Sequence, residues 1–288
     1  MVIPNVRDQK KLPLNFLVSF LFLGFMLLPF WLNLSTNVEI SNVLSLPSKA
    51  HPLGTDNLGR DLMFRLSEAI FNSVFPMWGC GVLASFLGIV AALVSIVLDT
   101  GPGLHLFVRI WNVFMIAIAS VPIGITVFGW SALHEKAGIL PVLSSLTVLF
   151  TVKVYLYVNE LYRKDKNIGY WQANEIMGGS LSGRIIRYGI LMKWMEGLGN
   201  LTIFHLKVGV AIEASLSYLG FGVQEPKASF GNMMSAHFDT YLKGNWYILA
   251  LVLAVFLLTV MFPENLLLAA RYMIGKAELS YFVGGTKK

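Results

Sequence analysis

Charged residues are scarce in this chain of 288 residues: they make up 13% of it, whereas hydrophobic residues make up 56%. Soluble globular domains carry about 25% charged residues, so the composition excludes an ordinary soluble protein. Cysteine is almost absent as well. Cys80 is the only one, which excludes an internal disulfide and a cysteine-based metal cluster and leaves the redox compartment open.

The sequence also lacks the signatures of two common catalytic sites. Gly54 and Gly59 have the spacing of a phosphate-binding loop, but Arg60 and Asp61 follow where that loop needs Lys and then Ser or Thr. The five histidines lack the spacing of metal ligands. We therefore expect no ATP site, no metal site and no enzymatic activity in this chain.

Long apolar stretches are what the sequence has in abundance. A membrane-spanning helix needs about 20 mostly apolar residues, because hydrocarbon offers the backbone no hydrogen-bonding partner. Four uncharged stretches reach this length, and two more contain a few charged residues. The six predicted spans are 12–38, 69–98, 110–133, 137–158, 194–221 and 244–263. We therefore expect an all-α integral membrane protein with six transmembrane helices.

The distribution of Lys and Arg predicts the orientation of these spans. Arg7, Lys10 and Lys11 precede the first stretch, as in a secretory signal, but no alanine for an Ala-x-Ala cleavage site occurs before Ala50, so we expect this stretch to remain as an anchor. With a cytoplasmic N-terminus, fourteen Lys and Arg residues fall in inner segments and six in outer segments. Cytoplasmic loops carry the excess of positive charge, so both termini are predicted to be cytoplasmic.

These spans define the predicted organisation of the chain. It consists of a cytoplasmic N-terminal segment (1–11), a transmembrane domain (12–270) and a cytoplasmic C-terminal tail (271–288). Within the domain lie an outer loop (33–68), an inner loop (159–193) and a second outer loop (222–243). We expect no soluble module large enough to fold alone.

The inner loop is long and polar, and it contains a pair of glycines. Residues compatible with a helix run from Trp171 to Met177 and are followed by Gly178 and Gly179. Glycine commonly ends a helix, so the pattern predicts a short helix, a turn and a second short helix through Arg184. Two interpretations remain open: a docking projection on the cytoplasmic face, or an ordinary glycine-containing connector.

Two outer stretches carry a more specific pattern. The first is His51-Pro52-Leu53-Gly54-Thr55-Asp56 followed by Leu58-Gly59-Arg60-Asp61, after the first predicted span. The second is Glu213-Ala214-Ser215-Leu216-Ser217, then Leu219-Gly220, Gly222-Val223-Gln224, Pro226 and Gly231-Asn232-Met233, at the end of the fifth. Both resemble, in this order, motifs of one permease class of the dipeptide, oligopeptide and nickel importers of the ABC family.

The inner loop resembles a degenerate form of the EAA loop of these permeases, which forms the coupling helix seated on the ATPase. Gln172-Ala173-Asn174 stands where Glu-Ala-Ala is usual, Met192 replaces a proline, and the register is open by one residue. The resemblance assigns ATPase coupling to Gln172, Ala173, Glu175, Gly178, Gly179, Ser180, Arg184 and Ile185.

The first outer motif has a physical interpretation of its own. Pro52, Gly54 and Gly59 impose turns, and the charges of Asp56, Arg60 and Asp61 can brace the loop. The residues of this candidate site are His51, Pro52, Gly54, Thr55, Asp56, Gly59, Arg60 and Asp61. They either hold the first two spans together or contact a binding protein, and the sequence does not decide between these roles.

The fifth predicted span contains four ionisable residues, Glu196, His205, Lys207 and Glu213. Such groups are costly in lipid and usually face a bundle interior or a water-filled path. At 100° per residue, Glu196 and Lys207 lie near one face and the other two lie elsewhere on the helix. They are candidates for lining a translocation path. Pairing with a partner subunit, or a position near the membrane surface, is the alternative.

The resemblance implies a type I ABC importer permease fold and the function of a permease subunit. The implied partners are a second, non-identical permease, two cytoplasmic ATPases that bind ATP and Mg, and an extracytoplasmic solute-binding protein, with no nucleic acid and no cofactor in this chain. The implied location is a bacterial plasma (inner) membrane. Peptides are the expected solute. The alternatives are nickel or a metal–chelator complex, a secondary transporter without ATPases, and a membrane-embedded enzyme.

Overall fold

The structure is a computed structural model, and its regular elements are helical. It describes residues 17–18, 21–22, 24–25, 42–101, 103–134, 138–185, 194–243 and 246–284, with the side chains of all but 170 and 269–284. Within these ranges the one extended pairing is an isolated bridge between Thr55 and Asp61. The all-α prediction is confirmed.

The helices follow one another with short connections. In chain order they are α1 (Leu62–Ala69), α2 (Phe75–Thr100), α3 (His105–Ser120), α4 (Ile123–Ala132), α5 (Ile139–Lys166), α6 (Gly169–Ile176), α7 (Leu181–Arg184), α8 (Met195–Tyr218), α9 (Phe230–Leu242) and α10 (Tyr247–Gly284). A π-helical turn, Ile70–Val74, joins α1 to α2, so that 62–100 is one helical stretch of 39 residues.

Several helices are long and apolar enough to cross a membrane. Among the described residues, three continuous stretches qualify, namely 62–100, 139–166 and 247–268, and the bent pair α3 and α4 makes a fourth if it is one span. Helix α8 has 24 residues, but it carries the charges noted above. The first predicted span, 12–38, lies largely outside the described residues. A count of six spans therefore stays a prediction.

The third predicted span is not one continuous helix, and the prediction of a single helix over 110–133 is wrong. The chain bends by 84° between α3 and α4. Pro122 has no backbone N–H and disfavours a helical conformation in the residue before it. Val121 accordingly has an extended ψ of 132°. Proline thus ends α3 within a stretch whose hydropathy is continuous.

Other boundaries also differ from those of the predicted spans. Helix α5 continues to Lys166, so the inner loop begins later than residue 159. The second outer loop contains α9, which begins with a capping box in which Ser229 and Asn232 each bond the other's backbone N–H. Helix α10 runs without interruption past residue 270 to Gly284.

Contacts divide the chain into two compact units. The first comprises the described residues of 1–74, 217–219 and 223–288, and the second comprises those of 75–216 and 220–222. In the second unit α2 packs closely against α5, because Gly88 leaves space where a Cβ would lie 2.7 Å from the Thr151 carbonyl oxygen. The core near this contact includes Ile96, Tyr155 and Trp171.

Candidate functional site

In the first unit, the outer motif folds as a compact turn that needs glycine at two positions. Gly54 and Gly59 have φ of +81° and +75°, in the left-handed region that favours glycine. A Cβ on Gly54 would also collide with the carbonyl oxygen of Ser45. The buried Thr55 hydroxyl accepts from the Ser45 N–H and donates to the Asn42 carbonyl, which fixes the loop to the preceding segment.

Acidic side chains brace this loop from inside. The buried Asp56 carboxylate accepts the N–H groups of Leu58 and Arg60, each at 2.8 Å, and the Arg60 Nε at 2.6 Å. The expected bracing by Asp56 and Arg60 is thus present. Asp61 acts differently: it accepts the Phe64 N–H at 3.0 Å as the N-cap of α1, and it lies 3.0 Å from His51 Nδ1.

Glu225 joins the two outer motifs. Its Oε2 accepts from Arg60 Nη1 at 2.9 Å, and its Oε1 accepts from Arg65 Nη2 at 2.7 Å. Arg65 Nη1 also donates to the Pro226 carbonyl at 2.7 Å. The side chains of Arg65 and Arg60 are 2% and 8% exposed, whereas Glu225 is 46% exposed. We call Asp56, Arg60, Arg65 and Glu225 the outer charge network.

Burial and neighbouring charges shift the pKa values of two side chains here, Arg60 in the network and His237 near it. Burial alone would lower the pKa of Arg60, but hydrogen bonds to Glu225 and Asp56 raise it above its ordinary value. His237, in α9, is 2% exposed, and burial lowers its pKa below 6.5. Arg60 is therefore held in its protonated form by its two carboxylate partners, near an imidazole whose burial favours the neutral form.

In the second unit, the inner loop has the predicted arrangement of helix, glycine turn and helix. Gly178 has a φ of +78°, and a Cβ on Gly179 would lie 2.9 Å from the Asn174 carbonyl oxygen. Ser180 then caps α7 by accepting the Gly183 N–H at 3.1 Å. Both glycines are thus required by the backbone, the first by its conformation and the second by close approach.

Arg184 holds the two short helices together. It lies over the Trp171 ring, with its guanidinium carbon 5.6 Å from the ring centroid, and its Nη1 is 2.8 Å from Glu175 Oε2. Trp171 in turn meets Tyr162 of α5 edge to face, at 5.8 Å between centroids. Ile185 is 4% exposed and belongs to the same core.

The tip of the inner loop is apolar and exposed. Ile176 and Met177 are 87% and 77% exposed at the end of α6, where Gln172 and Ala173 are also on the surface. We call Ile176 and Met177 the inner tip. Two adjacent exposed apolar side chains, held on a fixed turn, are suited to insertion into a pocket of a protein partner.

The ionisable residues of α8 are placed in different environments. His205 and Glu213 are fully buried, Glu196 is exposed, and Lys207 is partly exposed. The His205 ring stacks on Phe150 at 4.2 Å between centroids, and neither of its nitrogens has a hydrogen-bond partner among the described residues. In this chain, His205 and Glu213 lie inside the packing, and a role in lining a path stays a prediction.

The sequence did not single out Arg65 or Glu225. Arg65 follows the first motif, and Glu225 lies inside the second, but they are 160 residues apart and only the fold pairs them. In the described ranges, no three His, Cys, Asp or Glu residues come together as a metal site.

Relatives of this chain are named as peptide permeases. It is 28% identical to the dipeptide transport system permease protein DppC of Bacillus subtilis, over 70% of this chain and 61% of that protein. It is 29% identical to the oligopeptide permease OppC of the same organism, over 66% and 60% of the two chains. For the probable D,D-dipeptide permease DdpC of Escherichia coli, the identity is 25% over 77% and 72%.

The chain thus spans about 60% of the length of the two Bacillus relatives. No protein-family model matches it. These relatives confirm the resemblance to permeases of dipeptide and oligopeptide importers, and they are named as permeases rather than as ATPases.

The fold is shared with a solved ABC importer. A chain of the inward-facing MetNI methionine ABC transporter superposes with a TM-score of 0.50 over 75% of this chain and 97% of its own length, at 18% identity. The likeness confirms the predicted class of fold. Together with the long apolar helices and the permease relatives, it makes this chain a multi-pass membrane protein.

Proposed function

We propose that this chain is a transmembrane permease subunit of an ATP-driven ABC importer and forms half of the translocation path for di- or oligopeptides. The observation that carries the proposal is the inner loop. It presents an exposed apolar tip on a turn that requires glycine, in a chain whose relatives are named peptide permeases. The chain supplies no catalytic group, and its partners hydrolyse ATP.

The proposed assembly contains this chain, a second and different permease, two cytoplasmic ATPases that bind ATP and Mg, and an extracytoplasmic solute-binding protein. It lies in a bacterial inner membrane with both termini of this chain in the cytoplasm. The positive charge of the inner segments and the ABC importer fold support this arrangement.

Coupling follows from how firmly the inner loop is joined to the membrane helices. Trp171 packs on Tyr162 of α5, and Arg184 packs on Trp171. Trp194, just before α8, donates to Asp165 of α5 at 2.8 Å, with both side chains buried. A displacement of the inner tip by the ATPases would therefore move α5 and α8 with it. Nucleotide changes the equilibrium between inward- and outward-facing states only by binding one of them more tightly.

Peptides are the favoured solute because the relatives are named for dipeptides and oligopeptides. Import of nickel or a metal–chelator complex by the same architecture is the second candidate, favoured by the resemblance of the first outer motif. A secondary transporter would have no ATPase partners and no use for a docked inner tip.

The test is purification of the tagged chain from its native membrane in mild detergent. We expect a second permease and two ATPases to be recovered with it. An Ile176→Asp variant should lose the ATPases but keep the second permease, because a charge at the tip cannot enter an apolar pocket. The exposed Leu46→Asp, in the outer loop and away from the inner loop, is the matched control. Recovery of the chain alone would contradict the proposal.

A further inference from the structure

The break between α3 and α4 leaves several backbone groups without partners. It consists of Ser120, Val121 and Pro122, all of which are exposed. Around it, the Pro122 carbonyl accepts from Ile125 and Thr126, and the Val121 N–H donates to Ile118. Among the described residues, no hydrogen bond reaches the remaining groups, which are the carbonyls of Ala119, Ser120 and Val121 and the N–H groups of Ile123 and Gly124.

With the start of α3 placed at one membrane surface, the break falls within the thickness of the membrane. From Arg109, the last charged residue before it, to Ser120 the chain rises about 16 Å at about 1.5 Å per residue. Measured from His105, where α3 begins, the rise is about 22 Å. The hydrocarbon core is about 30 Å thick, so neither starting point carries the break to the opposite surface. The 84° bend then prevents α4 from continuing α3 across the membrane.

Unpaired backbone groups at that depth are not tolerated against lipid. Irregular backbone occurs in membranes where it is enclosed by protein or lines a water-filled cavity. The neighbouring α5 does not enclose it, because the three break residues are exposed in a unit that contains α2, α4, α5 and α8. Water in a conduit would satisfy five groups that hydrocarbon leaves unpaired.

We propose that this break forms part of the wall of the water-filled solute path, with its free carbonyls available to N–H donors of a passing peptide. This inference rests on the proposed function for the identity of the solute. The part of the inference that concerns a hydrated break at membrane depth does not depend on the ATPase partners. It also makes α3 and α4 a path-lining pair, which the charges of α8 did not indicate.

Thiol accessibility tests the inference in the intact complex in native membranes. The lone Cys80 is 5% exposed and is first replaced by alanine, which leaves this chain without thiols, so labelling is read on this chain after its separation from the partner subunits. Ser120→Cys is then treated with a membrane-impermeant methanethiosulfonate. Val90→Cys, exposed on the unbroken part of α2, is the reference, and Ser48→Cys in the outer loop shows that the reagent is active.

We expect Ser120→Cys to react at least about tenfold faster than Val90→Cys, because only the hydrated thiolate reacts. An unreactive Ser120→Cys beside a reactive Ser48→Cys would overturn the inference and mean that a partner protein covers the break. A rate that changes when ATP is added supports the importer as well. Fast reaction at a rate independent of ATP supports the hydrated break but counts against the proposed function, so the two failures are distinguishable.

Discussion

Replacing Glu225 with glutamine should destabilise the protein by removing the carboxylate shared by two arginines. Arg60 and Arg65 are almost fully buried, and each donates to one oxygen of Glu225. A glutamine offers only one oxygen, and its NH₂ group would face the second guanidinium donor to donor. One of the two buried guanidinium groups therefore loses its hydrogen bond to residue 225 in the variant.

The size of the loss in stability depends on which partners the two arginines keep in the Glu225→Gln variant. Breaking a buried ion pair by removing one partner costs about 3–5 kcal/mol. Glu225 is 46% exposed, so water replaces part of the lost interaction. Arg60 keeps Asp56, and Arg65 keeps the Pro226 carbonyl. We therefore expect a loss of about 2 kcal/mol, smaller than for a fully buried pair.

Thermal unfolding of the purified complex, followed by intrinsic tryptophan fluorescence, measures this loss. At about 2–4 °C per kcal/mol, the Tm should fall by about 4–8 °C. Glu160→Gln is the matched control, because it removes the same charge from an exposed pair with Lys164 at 2.6 Å and should leave the Tm unchanged. Equal Tm values for the two variants would refute a stabilising role for the outer charge network.

Two further predictions concern the turn of the inner loop and the buried imidazole. Gly178→Leu should reduce ATP-dependent peptide uptake at least about tenfold in proteoliposomes while basal ATPase activity persists, because φ of +78° is strained for leucine. The control is Gly169→Leu, at a position with open space and no such strain, which should transport normally. Normal uptake by Gly178→Leu would contradict coupling through this turn. Because burial lowers the pKa of His237, the folded state binds fewer protons than the unfolded state, so stability is complete above about pH 6.5 and decreases as the pH falls below it. His237→Gln should flatten this decrease in Tm between pH 7 and 5, and an unchanged slope would exclude His237 as its source.

The membrane helices were predictable because the thickness of a bilayer fixes the length of apolar sequence that each needs. Helices α2 and α5 and the apolar half of α10 follow from this rule alone. The same rule missed the bend before Pro122, because counting the length of an apolar stretch treats proline like any other residue. The missing backbone N–H of Pro122 was the signal in the sequence that could have revealed this bend.

The candidate sites were predictable only where the contacts are local. Asp56 and Arg60 are four residues apart, and the glycine turn of the inner loop is marked by adjacent residues. The pairing of Arg65 with Glu225 joins residues 160 positions apart. Such a contact depends on how the chain packs, and no local pattern in one sequence specifies it. The capping box of Ser229 and Asn232 was local and could have revealed α9.

The most direct test of the central claim is the ATP dependence of peptide uptake by the complex purified through this chain and reconstituted into liposomes. We expect labelled dipeptide or oligopeptide to accumulate only with hydrolysable ATP and the solute-binding protein, and we expect the Ile176→Asp variant not to accumulate it. Uptake that proceeds without ATP and follows an ion gradient would contradict the importer function and make this chain a secondary transporter.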